Sequence, residues 1–172
     1  MKPVPEIIGE VVQKVRAEYD PVDGLQPYYM HGHPLEIVNI LSQKTKNETL
    51  KFQKYPLIAL FQDFDEPIEG DGRDVSLNIV ICTETKPGFE ASERYNETFK
   101  PILNPLFDLF IKHLRRSYYL NILPDAISYT KTDRVYWGRQ GLYGSEGNIF
   151  DDHIDAIEIS NLNLSLITGC QH

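Results

Sequence analysis

The chain is poor in the residues that most often announce chemistry. Two cysteines occur in 172 residues, Cys82 inside an alternating apolar run and Cys170 near the C-terminal end. Their spacing forms neither a zinc pair nor a disulfide framework, so synthesis in a reducing, cytoplasmic setting is expected. Long apolar runs are missing, which excludes a membrane-spanning helix, and Met1-Lys2-Pro3-Val4-Pro5 has no apolar core of a secretion signal. Positive charge is scarce as well: 17 Lys and Arg stand against 25 Asp and Glu, a net charge of -8. Phosphate contacts need clustered cations, so nucleic acid is not expected as the main partner. The one basic run, Lys112-His113-Leu114-Arg115-Arg116, suits the last turn of a helix, whose dipole favours cations. No serine or cysteine stands in a nucleophile elbow, and no phosphate loop is present. Gly138, Gly141, Gly144 and Gly147 lack the lysine and following helix of a phosphate cradle and read as a mobile loop.

What is present is an ordered succession of amphipathic segments. Ile7, Ile8, Val11, Val12 and Val15 recur at helical spacing opposite Glu6, Glu10, Gln13 and Lys14. Pro5 fits the first turn of that helix, and Asp20-Pro21 with Asp23-Gly24 ends it. Residues 21–33 read as a connector, and residues 34–41 as a short helix dissolving into the polar run 42–49. Residues 55–61 and 75–82 are strand-like and are expected to pair antiparallel across a strongly acidic loop. Ser92 is the expected cap of a helical stretch that Pro101 and Pro105 should kink. Asn104-Pro105 then marks the strongest helix start, for a helix near residues 105–116. β-Prone sequence returns at residues 127–137.

The last long segment, residues 151–167, alternates apolar and polar side chains, but its phase slips once. Ile157 and Ile159 share one parity; Leu162, Leu164 and Leu166 share the other. A bulge at Ser160-Asn161 inserts one unpaired residue and returns all five to one buried face. The expected fold class is therefore α+β: one mostly antiparallel, or mixed, β-sheet flanked by two to three helices. The chain is read as a single domain over residues 1–172, with residues 1–33 a candidate arm.

Three groups of side chains invite a functional reading. His31-Gly32-His33 could show two imidazoles to one metal, with Asp152 folding against them; the competing reading is a glycine turn in which His33 caps the helix at Pro34. Asp63, Asp65, Glu66, Glu69, Asp71 and Asp74 form an acidic cluster without the calcium-loop pattern, and it reads as a solvated loop or a contact for a basic partner. Tyr118-Tyr119, Tyr28-Tyr29, Tyr136-Trp137 and Tyr143 supply aromatics of the kind enriched at interfaces. No metal, catalytic or cofactor-binding residue is assigned. The candidate interface residues are Asp63, Asp65, Glu66, Glu69, Asp71, Tyr136, Trp137 and Tyr143.

The order of elements, with the phrases "KYPLIALF", "DVSLNIVI", "LFIKHLRR", "YWG" and "DDHIDAIEISNLNLSL", resembles the tail terminator and head–tail connector (neck) proteins of tailed bacteriophages and prophages. That resemblance covers most of the chain from His31 onward. It implies a non-enzymatic structural role and a cyclic, hexamer-like homo-oligomer. The implied partners are tail-tube and head-connector proteins, and the implied location is the bacterial cytoplasm at synthesis and the virion thereafter. The rival readings are a metal-dependent hydrolase using His31, His33 and Asp152, and a small acidic adaptor that captures a basic partner.

Overall fold

The computed structural model describes residues 2–69, 72–120, 127–137 and 152–167. Helix α1, Val4–Glu18, buries Val4, Ile7, Ile8, Val11, Val12 and Val15 along one stripe. Extended Pro3 precedes it, and the chain leaves through extended Tyr19, whose N–H still reaches the Val15 carbonyl at 2.8 Å. The connector expected over residues 21–33 instead holds strand β1, Tyr28–Gly32. Its apolar residues are too few to show alternation, so neighbouring strands decide its conformation rather than local pattern.

Helix α2, Pro34–Lys46, runs further than the apolar pattern suggests, because Ser42 to Lys46 continue the turn with Lys44 and Lys46 at its C-terminal end. Strand β2, Leu57–Phe61, pairs parallel with β1, so β1, α2 and β2 form a crossover unit. Strand β3, Ile68–Glu69, and strand β4, Gly72–Glu84, make a short hairpin. Strand β2 pairs antiparallel with β4, Leu57 opposite Cys82 and Phe61 opposite Asn78, as the sequence leads one to expect.

One helical rod carries residues 91–115. It begins as α3, Ala91–Arg94, widens into a π-helical stretch over Tyr95–Leu103, and continues as α4, Asn104–Arg115. Neither expected cap serves as one. Glu90 caps α3 through a reciprocal box with Glu93, leaving Ser92 inside the helix. Asn104 has helical backbone angles because the π turn delivers the chain already wound, its N–H bonding the Phe99 carbonyl. The expected disturbance from Pro101 is present in another form: a wider turn takes up a ring that lacks an N–H, so the rod is not broken.

Strands β5, Ile127–Arg134, and β6, Ile154–Ile167, complete a mixed six-stranded sheet of order β1-β2-β4-β6-β5, with the short β3 paired to β4 off that path. The fold class is α+β, as expected. Leu77 faces Leu162 and Ile79 faces Ile159, so Ser160 and Asn161 together oppose Asn78. Asn161 takes a left-handed φ of 50° and donates its N–H to Asn78 Oδ1 at 3.3 Å. The bulge restores phase: Ile157, Ile159, Leu162, Leu164 and Leu166 are all 0–2% exposed and share one core. That core lies between the sheet and the layer of α1 and α4. A second, smaller core sits on the opposite face, where Ile37 and Leu41 of α2 meet Leu57, Ala59, Val80, Cys82 and Ala156.

Candidate interaction surfaces

Among the described residues, the second face of the sheet is only partly covered. Helix α2 and Trp137 roof it at one side, and elsewhere the alternation that buries Val75, Leu77, Leu162 and Leu164 turns Asp74, Ser76, Asn163 and Ser165 outward. Ser165 Oγ donates to Asp74 Oδ1 at 2.6 Å, and Asn163 Nδ2 donates to Ser128 Oγ at 3.1 Å. Over this polar platform stands the acidic loop, and between them runs a groove of about 860 Å3 lined by Gln62, Asp63, Asp65, Asp74, Ser128 and Asn163. Asp63, Asp65 and Glu69 are exposed. Glu66 is half-buried and bonds Arg73 at 2.8 Å, while the other guanidinium nitrogen of Arg73 donates to the Lys2 carbonyl. Glu66 thus ties the loop to the body, and Asp63, Asp65 and Glu69 face water. Asp71 and Tyr143 lie outside the described residues, as do Asp151, Cys170 and the glycines from Gly138 to Gly147.

Tyr136 and Trp137 stand at the other end of β5 and are engaged internally. Trp137 is 4% exposed; its indole N–H donates to Glu158 Oε1 at 2.6 Å and its ring stacks on Phe61. The Tyr136 ring lies 4.0 Å from the Arg94 guanidinium, and its hydroxyl donates to the Pro87 carbonyl at 2.7 Å. Below it sits a buried polar cluster that composition does not announce. Asp155 is fully buried; its Oδ1 accepts from Arg94 at 2.9 Å and from the Tyr136 N–H at 3.3 Å, and its Oδ2 accepts from Thr98 at 3.0 Å. Arg94 also donates to the Phe89 carbonyl at 2.8 Å. Burial opposes the charge on Arg94, and the bonds to Asp155 and Tyr136 outweigh it, moving its pKa up. The cluster pins the helical rod, β6 and the end of β5 together.

A second polar network lies near the start of β6. Lys54, 5% exposed, donates to Asp152 Oδ2 at 2.6 Å and to Thr45 Oγ1 at 2.9 Å, and the Tyr55 hydroxyl donates to the same Asp152 oxygen at 3.0 Å. Burial above all, with Cys82 and Asp152 nearby, pushes the Tyr55 phenol far up, so it stays a donor. Burial likewise pushes the Cys82 thiol up. Asp152 is therefore occupied away from the histidines. His33 Nδ1 accepts the Leu35 N–H at 3.2 Å and caps α2, and His31 Nδ1 meets Gln62 Oε1 at 3.3 Å. Among the described residues no three His, Cys, Asp or Glu side chains converge as a metal shell requires, so His31, His33 and Asp152 are not assembled into one site.

The sheet ends in two unlike edges. Among the described residues, no strand pairs with the outer side of β1 or of β5. Strand β1 is short and flanked by helices; β5 is longer and five of its eight residues are exposed. Among the described residues no helix is long and apolar enough to cross a membrane. Compared with known proteins, the chain matches no family model and no curated sequence.

Proposed function

We infer that this chain is a non-catalytic structural subunit of a phage or prophage particle, of the tail terminator or neck type, which closes into a homo-oligomeric ring between tail and head. The observation that carries this reading is a sheet whose two unlike edges are unpaired among the described residues. A cyclic ring is built from heterologous contacts, in which one surface of a subunit meets a different surface of the next. Two chemically distinct edges on opposite sides of one sheet are such a pair. The order of elements supports the same class, and the two polar networks described above are satisfied internally, as scaffolding groups are. The acidic loop and its groove are suited to electrostatic matching with tail-tube or head-connector partners stacked on the ring. Synthesis in the bacterial cytoplasm and incorporation into the virion follow from the same reading. Native mass spectrometry of the purified chain and quantitative proteomics of assembled particles test it. A closed, hexamer-like ring and a fixed copy number per particle are expected; a strict monomer that is absent from particles refutes it. Salt-sensitive capture of a basic partner by a monomer would favour an acidic adaptor.

A further inference from the structure

We propose that copies of this protein join by continuing the sheet itself, β5 of one copy pairing antiparallel with β1 of the next. The proposal rests on the ring reading and names the surfaces that make the ring. It follows from strand directions. β1 runs with β2, β2 against β4, β4 against β6, and β6 against β5, so β1 and β5 run in opposite directions within one sheet. Rotation about an axis lying along the strands preserves direction, so the β5 edge of one copy meets the β1 edge of the next antiparallel. That is the more stable pairing per residue.

Among the described residues both edges are open to it. The bonds from the Tyr28 N–H to the Pro56 carbonyl and from the Gln62 N–H to the Gly32 carbonyl set the alternation in β1. Tyr28, Met30 and Gly32 turn their backbone groups toward β2, and Tyr29 and His31 turn theirs outward. Five residues of β1 fit within the eight of β5. β1 ends at Gly32, whose φ of 150° disfavours a side chain. Pairing of β5 with itself, or of β1 with itself, relates two copies by a two-fold axis and stops at a dimer.

The junction also has a predicted face. Tyr29 and His31 lie beside Ile58 and Leu60 on the helix-covered face, and on β5 the same face carries Ile127 at its start and then Tyr129, Lys131 and Asp133. A continuous sheet keeps faces aligned, so with β1 inside the span of β5 His31 comes opposite Tyr129 or Lys131, opposite Asp133 only if β1 overhangs the end of β5, and never opposite Thr130 or Thr132. The test is disulfide trapping in the full chain with Cys170→Ser. His31→Cys is combined in turn with cysteine at Tyr129, Lys131, Asp133, Thr130 or Thr132, under mild oxidation. A ladder of covalent multimers is expected from at least one of the first three pairs and from neither of the last two. Hydrogen exchange on the unmodified chain gives a reading free of substitutions, with slowing expected at His31 and across β5 on assembly. Rings seen by native mass spectrometry without that ladder or slowing overturn the edge pairing and leave the ring reading standing. Lys131→Cys alone driving the chain to a covalent dimer overturns it in favour of β5 self-pairing. Monomers at every concentration, with the chain absent from particles, overturn both.

Discussion

Deleting Asn161 removes the one extra residue that keeps β6 in phase, and the structure sets the size of the effect. Downstream of the deletion every side chain changes face, so Leu162, Leu164 and Leu166, now 0–2% exposed, would point at the polar platform while Asn163 and Ser165 entered the core. Full burial of a leucine is worth about 1.5–3 kcal/mol, so three together represent about 5–9 kcal/mol. Domain stabilities lie at about 5–15 kcal/mol, and the deletion should therefore leave the protein unfolded or close to it. Asn161→Gly keeps the residue count and suits the φ of 50°, so a change within about 0.5 kcal/mol is expected. Asn161→Val keeps the count but forces a β-branched side chain into the left-handed region, at a cost of about 1–2 kcal/mol. Equilibrium urea unfolding followed by Trp137 fluorescence, the only tryptophan, reads all three variants. A deletion variant within about 1 kcal/mol of the parent would refute the phase argument.

Three further outcomes are expected. Asp155→Ala leaves Arg94 buried without its carboxylate and should cost about 3–5 kcal/mol, whereas Arg94→Met with Asp155→Leu should recover much of that loss in thermal unfolding. His33→Ala removes the cap on α2 and should cost about 0.5–1 kcal/mol, with His33→Asp at least matching the parent; circular dichroism melts distinguish them. Cys82, in a Cys170→Ser background, should react with a water-soluble thiol reagent only after unfolding. Its pKa is raised in the folded state, so its contribution to stability is complete below the unfolded thiol value of about 8.5 and declines as pH rises above it, a slope that Cys82→Ala should remove.

The parts legible from sequence are those in which local pattern and tertiary packing agree. The five apolar residues of β6, the stripe of α1, the β2–β4 pairing and the His33 cap all follow from spacing alone. Strand β1 is hidden because two tyrosines and a methionine between a proline and a histidine have no period, and pairing with β2 makes them a strand. The extension of α2 to Lys46 was hidden because its final residues are polar and carry no stripe. The Arg94–Asp155 cluster joins residues 61 positions apart, and its only sequence trace is one aspartate amid an otherwise apolar run of β6. The aromatic pair Tyr136-Trp137 reads as an interface signal, and the structure shows rings already engaged with Arg94, Pro87, Phe61 and Glu158.

The two faces of the sheet are roofed unequally, and this sets how fast different strands open. β2 lies between two apolar cores, so its amides should exchange with solvent only through near-complete unfolding. Among the described residues β5 is held by one neighbouring strand and by one face, so its amides should open by local fraying at a small fraction of that free energy. The stiff half of the molecule fixes where the edge stands, and the soft edge can adjust its twist to what it meets without disturbing the core.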